Sequence, residues 1–131
     1  MSAHPAPGGW AAGEIQDAGD VEFALLAAER AGRPHERFIA AHLAALRVAA
    51  AVMAERRPRL RGRRSVWDVL AEVAPELGEW AAYFGVLQPK RQAVQAGAVA
   101  LVSAREADDL VRDVRAFRDA ARVAVLRRGS A

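Results

Sequence analysis

The sequence predicts an all-α fold, a bundle of about five helices around one long central helix. Three observations predict it. In Pro34–Arg57, PHERFIAAHLAALRVAAAVMAERR, the residues Ile39, Leu43, Leu46, Ala50 and Met53 step by four, three, four and three, which is one face of a helix. Leu77, Trp80, Ala81 and Phe84 repeat the helical step further along the chain. Leu110, Val114, Phe117, Ala121 and Ala124 do so near its end.

The elements follow in chain order. Residues 1–18 are rich in Ala, Gly and Pro without periodicity, and are expected to form a flexible leader with Trp10 as a docking residue. One domain is expected over residues 19–128. Asp20 offers an N-cap for a first helix, VEFALLAAERAG, with Phe23, Leu26 and Ala27 on its packing face and Gly32 as its stop. Pro34 opens the central helix, where a missing N–H costs nothing. Phe38, His42, Ala45, Ala49 and Val52 widen its apolar stripe, so it wants neighbours on several sides. At roughly 36 Å it is long enough to cross a small domain. It is not expected to span a membrane, because His42 and Arg47 interrupt it before ~18 continuous apolar residues are reached.

Pro58 and an arginine-rich loop close this helix. Ser65 caps the next, SVWDVLAEVA, in which Trp67, Leu70 and Ala74 line one side with Val66, Val69 and Val73 beside them. Pro75 kinks that helix or starts another. Gln88-Pro89 reads as a break. Beyond it, a short helix ending at Gly97 leads into an apolar connector, Ala98–Val102, which is either irregular or extended. Ser103-Ala-Arg-Glu106 is a capping box for the last helix, with Asp108 and Asp109 in its first turn and Arg127 and Arg128 in its last, both favoured by the helix dipole. On that helix Asp108 with Arg112, and Arg115 with Asp119, have the i,i+4 spacing of a solvent face laced with ion pairs.

The chain has no cysteine, which removes disulfides and thiolate chemistry and fits the cytoplasm. No phosphate-cradling glycine loop, Ser-His-Asp set or metal cluster is visible, so neither metal nor cofactor is expected. The net charge is +3, and six arginines stand at Arg56, Arg57, Arg59, Arg61, Arg63 and Arg64. Without those six the remainder is −3. The basic character therefore lives in one loop, suited to RNA or another anionic partner because guanidinium forks pair with phosphate. No aromatic residue interleaves them, so base stacking is not evident. The plainer reading of this loop is ion pairing with Glu72, Glu76 or Glu79. Trp67, Trp80 and Phe84 are explained by helical packing.

AAHLAALRVAAAVMA, the arginine-rich loop, RSVWDVLAEVAPELGEWAAYF and VSAREADDLVRDVRAF together resemble the actinobacterial SAV-type branch of the HEPN superfamily, over about residues 20–127. The resemblance implies an up-and-down helical bundle, a homodimer, and a link to RNA binding, metal-independent RNA cleavage and stress systems. Catalytic HEPN members pair an arginine with a histidine four to six residues later, near the start of the final helix. Here no histidine follows His42. The spacing occurs instead at Arg30 with His35 and at Arg37 with His42. A histidine base and an arginine steadying phosphorane charge are what metal-independent cleavage needs. The plainer readings are a solvated helix start for His35 and Arg37, and a packed, hydrogen-bonded core residue for His42.

The expectation is a non-catalytic, dimeric HEPN-like module that binds RNA or a protein partner through the arginine loop. A metal-independent endoribonuclease and a protein-only adaptor in a stress or DNA-damage system are the alternatives.

Overall fold

The computed structural model describes residues 18–58 and 64–130. Among these it forms five α-helices and two short 3-10 turns. They are α1 (Ala18–Arg30), α2 (Pro34–Arg56), α3 (Val66–Val73), α4 (Gly78–Gln95) and α5 (Ala104–Ser130). The turns are Pro75–Leu77 and Val99–Leu101. The leader expected over residues 1–18, with Trp10, lies outside the described residues up to residue 17.

Ion pairs and hydrogen bonds between helices fix their directions. Arg37 near the start of α2 pairs with Asp108 at the start of α5. At the other end Arg56 donates to the carbonyl of Ala124, so α2 and α5 run parallel. Glu29 pairs with Arg115 and Glu22 with Arg118, which sets α1 antiparallel to α5. Tyr83 bonds Asp113 and Lys90 pairs with Glu106, so α4 is antiparallel to α5 as well. The four long helices therefore alternate in direction, and short α3 packs against both α2 and α4, with Trp67 meeting His42 and Phe84.

Helix α2 is the pillar. Phe38, Ala41, His42, Ala45, Ala49 and Val52 on it are nearly solvent-free. The stripe led by Ile39 and Leu43 runs along the edge of the buried sector instead, with Leu43 38% exposed. By length and composition Pro34–Arg56 passes for a membrane span, with 56% of that stretch buried inside the bundle. Mean hydropathy, rather than an unbroken apolar run, puts it over that line, and burial on this scale is what a core helix requires.

Ser65 accepts from the Asp68 amide at 3.1 Å, and Ser103 from the Glu106 amide at 3.1 Å, so both predicted caps form. Leu110, Val114, Phe117, Ala121 and Ala124 of α5 are all buried. An aromatic cluster seals the centre. The Phe84 and Phe117 rings lie 4.9 Å apart, Trp67 is 5.3 Å from Phe84, and Trp80 is 5.7 Å from Phe117.

Four expectations need correction. Helix α1 starts at Ala18, so Asp20 lies within it rather than capping it. It also packs through Val21, Leu25 and Ala28, leaving Phe23 74% exposed and Leu26 37% exposed. Helix α4 passes straight through Pro89 to Gln95 and ends before Gly97, whose φ of 121° suits only glycine. Pro89 is exposed, and the i−4 residue whose carbonyl it would meet, Gly85, packs against Trp67, so tertiary packing outweighs the one lost hydrogen bond. Two of the expected i,i+4 partners on α5 reach other helices instead, Asp108 going to Arg37 and Arg115 to Glu29, while Arg112 pairs within the helix with Asp109 at i,i+3.

Candidate functional site

The arginine run begins where α2 ends. Arg57 caps the helix in the left-handed conformation, with φ 48° and its amide donating to the Met53 carbonyl at 2.8 Å. That turn throws the chain away from the helix axis. Arg56, one residue earlier, points inward and its side chain is 5% exposed. It donates to the Val73 carbonyl at 2.9 Å, to Glu76 at 2.6 Å and to the Ala124 carbonyl at 3.1 Å. One guanidinium thus ties the end of α2 to α3, to the following 3-10 turn and to α5. A planar fork can serve acceptors in three directions, and a lysine cannot hold them in that geometry.

At the far end of the run Arg64 pairs with Glu72 at 2.8 Å, near the end of α3. This contact is the first cause of the lowered pKa of Glu72 and the raised pKa of Arg64. The plainer reading, arginines answering Glu72 and Glu76, therefore describes Arg56 and Arg64. Arg57 is exposed. Arg59, Arg61 and Arg63 lie outside the described residues. The loop is thus a run of arginines with both ends anchored to the bundle.

The predicted histidines and arginines sit in different surroundings. Arg30 is exposed at the end of α1, and His35 is half-buried at the start of α2. Arg37 is occupied by Asp108 and by the Ala31 carbonyl at 3.0 Å, where it clamps the α1–α2 turn. His42 is fully buried. Both its ring nitrogens are engaged. Nε2 lies 3.0 Å from the Phe84 carbonyl, and Nδ1 accepts from Arg91 Nε at 2.9 Å. Because Nδ1 accepts, the proton sits on Nε2 and is donated to Phe84, which makes the ring neutral.

Burial chiefly, then the nearby Arg91 charge, pushes the His42 pKa down to about 4, against the opposing pull of the Phe84 carbonyl. Trp67 meets the ring edge-on at 5.8 Å. A ring held neutral, walled off by Trp67 and Phe84 and saturated with partners, has no nitrogen left to take a proton from a substrate.

Arg91 is the polar residue that sequence reasoning missed. It is 9% exposed, bridges to Gln95 on its own helix, and burial lowers its pKa. Its i,i+4 spacing to Gln95 was legible in the sequence. Its partnership with His42, 49 residues away, was not.

Among the described residues no group of three or more His, Cys, Asp or Glu could hold a metal ion. No curated protein and no solved structure matches the chain. The model of the SAV_6107-like HEPN family matches residues 28–122, more than half of the chain, from the end of α1 to most of α5. That span takes in the pillar, the arginine run, the aromatic cluster and the His42–Arg91 couple, and the chain belongs to this HEPN family.

Proposed function

We propose that the protein is a non-catalytic HEPN module of the cytoplasm that binds the phosphate backbone of RNA through its arginine loop. The observation that carries this reading is the division of labour within the run. Arg56 and Arg64 are taken up by acidic residues and carbonyls of the bundle at the two ends. Arg59, Arg61 and Arg63 fall between these anchors, with exposed Arg57 at the entrance. Anchored ends lower the entropy lost when the arginines between them engage a ligand. The saturated, neutral His42 supports binding without cleavage.

Anisotropy of a labelled single-stranded RNA, titrated at low and at moderate salt, tests the reading. Affinity is expected to fall by more than about tenfold between 50 and 200 mM salt, because each phosphate contact releases counterions. Arg61→Glu with Arg63→Glu is expected to remove most of the binding at low salt. Binding that ignores both changes sinks the phosphate contact and favours a protein-only adaptor. RNA cleaved in chelator, and left intact by His35→Ala with His42→Ala, would instead establish the metal-independent ribonuclease. The homodimer is part of the same proposal. Light scattering at tens of micromolar is expected to return twice the chain mass of 14.1 kDa, and a monomer mass refutes it.

A further inference from the structure

Helix α1 lies in the trough between α2 and α5 but covers only part of it. Val21 is buried on it, and Glu22 meets Arg118. Beyond that point α2 runs on to Arg56 and α5 to Ser130. The remainder of the trough is an open groove of about 630 Å³ with a floor formed by Val48, Ala51, Ala54, Ala121 and Val125. Its rim carries Arg57, Arg122 and, among the described residues, a single carboxylate, Glu55, all exposed, with Arg118 taken up by Glu22. The floor is made of small and branched apolar residues, so it is shallow where alanines stand and suits a modest aliphatic side chain.

The direction of α1 says which segment arrives there. Glu29 faces Arg115 and Glu22 faces Arg118, so α1 travels toward lower residue numbers as α5 travels toward higher ones. Carried back beyond Ala18, the same path meets Ala121, Arg122 and Val125. The groove is about 14 Å long, from the rise of α2 between Val48 and Arg57. Ile15 precedes Ala18 by three residues, about 5 Å along a helical path and about 10 Å along an extended one. Either distance keeps it inside the groove.

The chemistry matches as well as the reach. The seventeen residues before α1 contain Ile15, an aliphatic side chain for the alanine floor. On either side of it stand Glu14 and Asp17, two carboxylates for a rim that carries Arg57 and Arg122. A tethered segment also docks at high effective concentration, so a small contact suffices.

We propose that this groove is the docking site of the chain's own residues 13–17, with Ile15 on the Ala54–Val125 floor and Glu14 and Asp17 against Arg122 and Arg57. The inference is independent of nucleic-acid binding.

The chain has two isoleucines, Ile15 and Ile39, so isoleucine methyl labelling of the full protein yields two assignable signals. With leucine and valine methyls labelled too, cross-relaxation is expected from Ile15 to Val48 and Val125. Val125→Glu, at a half-buried position, is expected to abolish it and return the Ile15 methyl to its solvent-exposed shift, while Ile39 stays in place. An Ile15 methyl that already has that shift in the parent protein overturns the proposal. So does cross-relaxation to Leu26 in place of Val125. A signal found only between differently labelled chains in a mixed sample assigns the groove to a second copy, and overturns it equally.

Discussion

Phe84→Ala is expected to destabilise the fold by about 4 kcal/mol, whereas Phe23→Ala is expected to cost less than about 0.5 kcal/mol. The two residues share a side chain and a helical setting. Phe84 is solvent-free and its ring meets those of Trp67, Trp80 and Phe117 at 5.3, 6.0 and 4.9 Å. Truncating it removes the hub of that cluster, and the surrounding rings are too rigid to collapse into the void. It also strips one wall from His42, whose ring centre is 6.3 Å away. Phe23 is 74% exposed on the outer face of α1, so its removal takes little apolar surface out of contact. Urea unfolding of the two variants at matched protein concentration checks the pair. A large loss for Phe23→Ala would mean that the outer face of α1 is covered in solution.

Acidification supplies the second large effect. The ordinary histidine pKa is 6.5, and in the folded protein that of His42 is about 4, chiefly because of burial. On acidification the unfolded chain therefore binds the proton first, which favours unfolding. The His42 contribution to stability is full above pH 6.5, is lost as the pH falls toward 4, and is gone below that value. At about 1.4 kcal/mol per pH unit across that gap, the loss approaches about 3 kcal/mol. His42→Gln keeps an acceptor for Arg91 and a donor for the Phe84 carbonyl without the titration. It is expected to flatten the stability profile between about pH 5 and 6.5, a range above most carboxylate titrations. Stability curves from denaturant melts across that range decide the matter, and an unchanged slope in the variant removes His42 as the source.

The parts of this fold that were legible in the sequence are those written locally. Ser65 and Ser103 announce their helices because an N-cap is a contact over three residues. The Leu110–Ala124 stripe of α5 is unambiguous because arginines and aspartates occupy the other side. α1 misled because it is apolar in two sectors. Val21, Ala24, Leu25 and Ala28 step as regularly as Phe23, Leu26 and Ala27, and the larger phenylalanine outweighs them by hydrophobicity alone. The distinguishing signal was charge. Glu22 and Glu29, seven residues apart, flank the Val21 sector and point to the side that meets Arg115 and Arg118. Pro89 misled in another way, since a proline on an exposed helix face can be carried by packing elsewhere on the helix.

The candidate site was legible only as composition. Six arginines in one run stand out in any reading, but their separate fates depend on partners brought near by folding. Arg56 reaches Ala124 across 68 residues of chain, and no local pattern encodes that. His42 was readable as a packed histidine from its neighbours Phe38 and Leu46. The identity of the group that holds it, Arg91, required the antiparallel approach of α4.

The parallel run of α2 and α5 also dictates an order of events during synthesis. Arg37 and Asp108 are separated by 71 residues, so the pillar must wait for its principal neighbour until that intervening stretch has been made. At 5–20 residues per second that wait is roughly 4–14 s. The first cover it receives is α1, through a short turn whose closure costs little entropy, and α3 and α4 follow with Trp67 and Phe84 against His42. The α1–α2 hairpin is thus a provisional cover for the most apolar helix of the protein. A nascent chain that loses this hairpin presents an unshielded alanine-rich rod to whatever holdase or neighbouring polysome is at hand.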